Sequence, residues 1–199
     1  MSATDVVVLL FGARRLPRPL AGLTVRRAEG PDAIDSAAAT CRRLIVVGSD
    51  ADLASVLTRL LRTDRLDIEV GHATGWWTAR RARRGTARRV PLIRDDAGRV
   101  IVGAAEWRGS DGAALHGEAV VDDTQLFDGE VAGVRIEPTQ AMPGLRARVI
   151  RTGRRRWVVG RAAQLGTPGA VVVRDAERSP KIIRRSTFYR HTQGWLLVR

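Results

Sequence analysis

Two short turns hold the residues whose types and spacing could do chemistry: Gly48-Ser49-Asp50-Ala51-Asp52 and Gly71-His72-Ala73-Thr74-Gly75. Each follows a short apolar run. Turns at the carboxyl ends of parallel strands are where open α/β sheets bind ligands, because backbone N–H groups and helix N-termini converge there. Phosphoryl transfer is a chemistry such turns could serve. It needs a glycine-lined turn that lets phosphate approach the backbone, carboxylates for Mg2+, and a base near the acceptor hydroxyl. The first turn also has a plain structural reading, in which Asp50 or Asp52 caps the helix that follows.

A second constellation lies just downstream, where Trp76 and Trp77 lead into Arg80, Arg81, Arg83, Arg84, Arg88 and Arg89. A guanidinium fork grips phosphate or carboxylate, and an indole beside it suits the boundary between lipid headgroups and acyl chains. The same group could hold RNA through stacking and backbone contacts, or be a solvated helix whose tryptophans turn to the core. Successive helical residues point about 100° apart, so one indole is expected to pack inward and the other to stand at the cleft mouth or on the surface. Other chemistries lack their signatures. His72, His116 and His191 are scattered without HExxH spacing, and no G-x-S-x-G elbow accompanies Ser186, Tyr189 and His191. Metalloprotease, zinc-hydrolase and serine-hydrolase readings are therefore unsupported. Arg184, Arg185 and Arg190 form a further basic group that could receive an anion or simply keep the surface soluble.

The elements that must position the two turns can be read from periodicity. Residues 44–47 are a continuous apolar run ending at Gly48, the pattern of a strand buried on both faces. Leu53, Val56, Leu57, Leu60 and Leu61 recur at helical spacing; residues 66–70 supply the next strand and residues 76–84 a basic helix. Upstream, residues 6–11 read as the first strand, residues 23–25 as a short strand, and Pro31 and Asp32 as the start of a small-residue helix reaching Cys41. From Val90 onward, short β-rich runs alternate with Asp95-Asp96-Ala97-Gly98, Ser110-Asp111-Gly112 and Asp128-Gly129, which read as hairpin tips. The expected architecture is an α/β lobe with a parallel sheet over residues 1–89, then a mostly antiparallel β-rich lobe with a C-terminal extension over residues 90–199. The last apolar residues should form a strand tied into a sheet.

Composition bounds the class. The 199-residue chain is 44% hydrophobic, enough for one core or two small lobes with an interior. No apolar run approaches the ~18 residues of a membrane span, and the N-terminus lacks a basic segment followed by a long apolar stretch and a cleavage signal, so a cytoplasmic chain is expected. Cys41, the single cysteine, excludes an internal disulfide and a cysteine-based zinc site. The formal charge of +13 rests almost wholly on arginine, Lys181 being the only lysine. Such a surface suits phospholipid headgroups, nucleic acid or acidic proteins; a GC-rich coding sequence would leave the same arginine excess.

In order and spacing, the two turns resemble those of diacylglycerol kinase-like lipid kinases, which carry a strand ending in GGDGT, a helix, another strand, and then PxGTGND before a helix. Gly48 and Asp50 stand at the first glycine and the acidic residue, whereas Ser49, Ala51 and Asp52 replace glycine, glycine and threonine. Thr74 and Gly75 match the second turn, Ala73 replaces a glycine, and Trp76 and Trp77 take the Asn and Asp positions. Phe127-Asp128-Gly129-Glu130, followed by Val134-Arg135-Ile136-Glu137 and Leu145-Arg146-Ala147, resembles the DGE segment near the end of those kinases. The resemblance runs over residues 5–150, and no motif after that belongs to it.

What the resemblance implies is a reduced, degenerate lipid kinase-like protein using ATP and Mg2+. It would place Gly48, Ser49, Asp52, Thr74 and Gly75 at the nucleotide and Asp50 at its metal-bearing end. Asp128 would be the metal-linked acid and Glu130 the base. The Cβ atoms of Ser49, Ala51 and Ala73 fall where backbone should meet phosphate, so lipid phosphorylation is expected to be weak or lost while nucleotide or lipid-phosphate binding persists. The alternative is a noncatalytic basic adaptor that holds an anionic membrane, nucleic acid or an acidic protein through Arg80, Arg81, Arg83 and Arg84. Either reading puts the protein in the cytoplasm or on the inner face of the membrane.

Overall fold

The computed structural model of the protein describes residues 5–150 and 156–199. The chain divides into two compact units, Met1–Val90 joined by Gln193–Arg199, and Pro91–Thr192.

The first unit runs β1 (Val6–Leu10), a 3-10 turn (Arg18–Leu20), β2 (Thr24–Arg27), α1 (Pro31–Ala38), β3 (Arg43–Val47), α2 (Asp50–Arg62), β4 (Glu69–His72), α3 (Trp76–Arg84) and β5 (Ala87–Val90). Its sheet has the order β2, β1, β3, β4, then the final strand of the chain (Trp195–Val198), then β5. The pairings are parallel as far as the final strand, which meets β5 antiparallel. The apolar runs of β1 and β3 are almost wholly buried, as strands covered by helices on both faces must be. Val8, Leu10, Ile45 and Val47 share a core with Leu20 and with Ala79 and Ala82 of α3. Their alternate neighbours Val7, Leu9, Leu44 and Val46, equally buried, point to the other face, where α1 lies on β1 and α2 on β3.

Two contacts set α3 in place. A Cβ added at Gly71 would lie 2.7 Å from that of Ala82, so glycine on β4 and alanine on α3 let helix and strand approach closely. Arg43 clasps the same, carboxyl end: its guanidinium donates to Glu69 Oε2 at 2.7 Å and to the carbonyls of Ala82, Arg83 and Gly85 at 3.3, 2.9 and 3.1 Å. A partly buried cation on the last carbonyls of a helix satisfies groups that have no intrahelical partner and opposes the negative end of the dipole. Cys41 is buried here, and burial pushes its thiol up to about 11.

The second unit comprises β6 (Ile93–Asp95), β7 (Val100–Ile101), β8 (Ala105–Gly109), β9 (Leu115–Val121), β10 (Thr124–Val131), β11 (Val134–Pro138), β12 (Leu145–Val149), β13 (Val158–Gly160), β14 (Ala162–Arg174) and β15 (Glu177–Arg190); the final strand above is β16. All its pairings are antiparallel. The long β14 pairs with β9 through its first half and with β8 through its second, and its pairing with β15 shifts register between Gly166 and Ala170 and again between Val171 and Val173. Trp107 and Phe188, both fully buried, anchor the core with ring centroids 5.9 Å apart, and the indole N–H donates to Ser186 Oγ at 3.0 Å. Outside, a charge ladder crosses three strands. Arg108 meets Glu106 at 2.8 Å, Arg135 meets Glu106 at 3.0 Å and Glu137 at 2.7 Å, and Arg146 meets Glu137 at 2.7 Å.

The α/β and antiparallel halves follow the sequence expectation, with four local differences. Ser110-Asp111-Gly112 is no hairpin tip but a 3-10 turn between β8 and β9, which pair with other strands. β4 lies at Glu69–His72, because Leu66 and Ile68 fill the core from the preceding turn. Asp128-Gly129 is no hairpin tip: both sit inside β10, and the turn is made by Asp122 and Asp123. Asp122 takes positive φ there, and its carboxylate accepts from the N–H groups of Arg161 and Ala162. The chain end, expected in the β-rich lobe, instead returns to the first unit as β16, between β4 and β5. No helix among the described residues is long and apolar enough to cross a membrane.

Candidate functional site

The carboxyl ends of β3 and β4 bring the two turns side by side. Val46 and His72 are register partners, and the N–H of Ala73 donates to Val46 O at 2.8 Å. His72 links the turns: its Nε2 donates to Gly48 O at 3.1 Å, and its Nδ1 lies 3.7 Å from Asp50 Oδ1. The imidazole is largely covered, at 16% exposed, whereas the Asp50 side chain is 52% exposed and faces solvent.

Within the first turn the helix cap is Ser49, one residue before Asp50 and three before Asp52, the two aspartates expected to do it. The N–H and hydroxyl of Ser49 both donate to Asp52 Oδ2, at 2.7 and 2.8 Å, and the N–H of Asp52 donates back to Ser49 Oγ at 3.2 Å. This reciprocal cap satisfies orphan donors at the start of α2 and commits Ser49 and Asp52 to each other. Gly48 serves the same packing, since a Cβ there would stand 2.7 Å from that of Asp52. At the helix start, the N–H groups of Asp50 and Ala51 remain without an internal partner among the described residues.

The second turn is closed by a residue that sequence reasoning missed. Thr78 Oγ1 accepts from the N–H groups of both Thr74 and Gly75 at 2.9 Å and donates to Gly75 O at 3.0 Å. The signal was the three-residue spacing from Gly75 to Thr78, which is that of a side chain reaching back over the first turn of a helix. Gly75 has extended backbone, with φ −168°, and a Cβ there would meet nothing within 4 Å. Neither strain nor packing demands glycine at this point.

The expectation that one tryptophan plugs the cleft is overturned. Trp76 is 45% and Trp77 74% exposed. The buried face of α3 is made by Ala79 and Ala82 alone, so a solvated helix with core-facing tryptophans is excluded as well. The indoles meet edge to face with centroids 4.4 Å apart, and the Arg80 guanidinium lies 5.8 Å over the Trp76 ring. Of the expected anion-binding arginines, Arg80, Arg81 and Arg84 are exposed. Arg83 instead donates to Pro19 O at 2.6 Å and Ala21 O at 3.3 Å, pinning the 3-10 turn against α3. A groove of about 360 Å³ opens there, lined by Arg18, Pro19, Trp76, Arg80, Arg83 and Arg84.

Asp128 and Glu130 belong to the second unit, whereas Asp50 belongs to the first. Both lie on the exposed face of β10, Asp128 opposite Glu118 and Glu130 opposite His116 on β9. Among the described residues no group of three or more His, Cys, Asp or Glu side chains is arranged to hold a metal ion. The Ser186, Tyr189 and His191 group is structural. Ser186 accepts from Trp107, Arg94 lies 4.6 Å over the Tyr189 ring, and burial together with Arg94 holds the His191 imidazole below its ordinary value. Arg190 donates to the Met142 sulfur and Pro143 O.

No family model and no curated protein matches the sequence. The fold, in contrast, matches solved structures along nearly its whole length. An NAD kinase from Archaeoglobus fulgidus in complex with ATP aligns with TM-score 0.68 and 12% identity, over 98% of this chain and 93% of its own. A diacylglycerol kinase from Bacillus anthracis str. Sterne aligns with TM-score 0.71 and 12% identity, over 98% of this chain and 96% of its own. A second chain from that strain, provisionally described as a diacylglycerol kinase, reaches TM-score 0.75 at the same identity and shares. The likeness thus takes in the residues after 150, where no sequence motif carried it. A parallel α/β unit completed by the chain's last strand, and an antiparallel unit inserted before that strand, give this protein the diacylglycerol kinase-like fold, which the NAD kinase shares.

Proposed function

We propose that the protein binds a phosphate-bearing ligand, a nucleotide or a lipid phosphate, at the β3–β4 edge and retains little or no ATP-dependent lipid kinase activity. The observation carrying this reading is the internal commitment of the Ser49, Thr74 and Gly75 N–H groups, to Asp52 and to Thr78. Phosphate is cradled by backbone N–H groups that lack other partners. In these two turns, most such groups are already taken. The N–H groups of Asp50 and Ala51 stay open at the positive end of the α2 dipole, and they suit an anion. The likeness to kinases, one of them in complex with ATP, supports the phosphate assignment.

ATP and Mg2+ are the cofactors this reading calls for. Mg2+ in phosphoryl-transfer sites takes one or two carboxylates, with phosphate oxygens and water completing its shell, and it neutralises charge on the transferred group. Asp50, half exposed beside His72, fits one such carboxylate position. His72 orients the Gly48 carbonyl and the aspartate against each other. Asp128 and Glu130 are proposed as the metal-linked acid and the base; their exposure on β10 leaves both carboxylates accessible.

The test is ATP binding by calorimetry together with turnover on diacylglycerol, for the natural chain and for Asp50→Ala. Measurable Mg-ATP or phosphatidate binding that Asp50→Ala weakens about tenfold or more, with turnover far below the ~1 s−1 of an active kinase, is the expected result. Turnover near that rate, abolished by Asp50→Ala, would overturn the degenerate assignment. Absence of binding by either ligand would overturn the site.

A further inference from the structure

We propose that the outer face of α3 is a docking surface for an anionic lipid bilayer, with Trp76 and Trp77 resting at the headgroup boundary and Arg18, Arg80 and Arg84 receiving lipid phosphate. This assignment stands on α3 and the adjoining 3-10 turn and does not rest on the phosphate site at the β3–β4 edge.

Four observations converge. Two adjacent indoles are exposed at the start of a helix that has no need of them for its core, which Ala79 and Ala82 supply. Exposed aromatic pairs of this size are costly in water and rest well where an apolar ring meets headgroups. Second, the helix carries Arg80, Arg81, Arg83 and Arg84 and no carboxylate. Among the described residues neither Arg18, Arg80 nor Arg84 is in an ion pair, so their charge is available. Third, Arg83 fixes the Arg18–Leu20 turn to the helix through Pro19 O and Ala21 O, which presents Arg18 on the same groove as Arg80 and Arg84 without further ordering. Fourth, the groove, at about 360 Å³, has the volume of a small-ligand site and suits a phosphate headgroup.

A bilayer fits better than a single-stranded nucleic acid. Base stacking requires open ring faces, but Trp76 has the Arg80 guanidinium over its ring and the two indoles meet edge to face. Rings nearly perpendicular to each other do not offer parallel faces to successive bases, while the pair, packed as one apolar knob beside arginines, matches a headgroup boundary. The excess of 34 basic over 21 acidic residues adds long-range attraction to an anionic surface.

The experiment uses the full chain and vesicles of phosphatidylcholine, with and without phosphatidylglycerol, in the absence of nucleotide. Flotation should follow the anionic vesicles only and decline with salt. Arg80→Gln combined with Arg84→Gln should weaken binding about 30-fold, a factor of about five for each arginine near the surface. Trp77→Ser should weaken binding several-fold and remove much of the fluorescence quenching by brominated acyl chains, with the circular dichroism spectrum unchanged. Equal binding to neutral and anionic vesicles, binding to neither, or full affinity in the double arginine variant would overturn the proposal. So would single-stranded RNA bound more tightly than vesicles through the same arginines, or inorganic phosphate bound without vesicle association.

Discussion

Asp50 and Asp52 lie on the same first turn of α2 and do opposite work. Asp52 is turned inward on Ser49, where it accepts two hydrogen bonds, and Asp50 is turned outward beside His72. Replacing Asp52 with Ala should therefore cost about 1–2 kcal/mol, the loss expected when a helix cap is removed, and the chemical-denaturation midpoint will report it. Asp50→Ala should change stability by less than about 0.5 kcal/mol, as surface substitutions do, so any loss of ligand binding is not a folding defect. In the second unit, Glu137 supplies a pH dependence. Burial raises its pKa, but hydrogen bonds from Arg135 and Arg146 outweigh burial and hold it below its ordinary 4.5. A carboxylate with a depressed folded value contributes stability that is fully present above the unfolded value and lost as pH falls through the folded one. Urea unfolding followed against pH should thus show a loss beginning below about 4.5. Glu137→Gln should lower stability at neutral pH and flatten that acid limb.

At the scale of the element, α3 explains why a helix of nine residues with only two buried side chains is ordered at all. Its propensity alone is insufficient at that length. Its carboxyl end is held by close packing of Ala82 on Gly71 and by the Arg43 clasp, and its amino end by Thr78 on the N–H groups of Thr74 and Gly75. Arg43 is 12% exposed and its partner Glu69 17%. Arg43→Met should cost roughly 3 kcal/mol or more, because it leaves a poorly solvated carboxylate and three carbonyls without their donor. Hydrogen exchange should show α3 losing protection before β1 and β3. A loss confined to β3, with α3 unchanged, would contradict the clasp.

For the whole molecule, the return of the chain end is the decisive feature. β16 enters the first sheet between β4 and β5, with Trp195 and Val198 buried. Truncation after Thr192 leaves a gap in the sheet and detaches β5 from β4. Such a variant should lose hydrogen-exchange protection across β3 and β4, whereas the near-ultraviolet signal of the buried Trp107 and Phe188 core should persist in the second unit. Retained protection in β3 and β4 would mean that β16 is dispensable to the first sheet.

Local pattern carried much of the architecture. The apolar runs at β1 and β3, the heptad-like stripe of α2 and the span of α3 were legible because burial on one or both faces leaves a period that a linear chain displays. The two glycine turns could also be placed beside each other, since consecutive parallel strands with a helix between them put their carboxyl ends on one edge. Tertiary structure decided everything that depends on partners remote in sequence or on small differences of orientation. That β16 belongs to the first sheet is set by pairing across more than a hundred residues, from β4 at Glu69–His72 to Trp195–Val198, and no local period reveals it. Asp128-Gly129 reads as a turn by composition, but antiparallel register with Glu118 and Gly117 keeps it in a strand. The helical step of about 100° predicted one tryptophan inward and one outward; Ala79 and Ala82 face the sheet instead, because only small side chains allow α3 to approach β4 as closely as Gly71 permits. The sequence by itself determined which residues could meet at the sheet edge and what charge surrounds them. Only the folded chain decided which backbone N–H groups there are already satisfied, because hydrogen bonds to Asp52 and Thr78 form only once the turns take their shape.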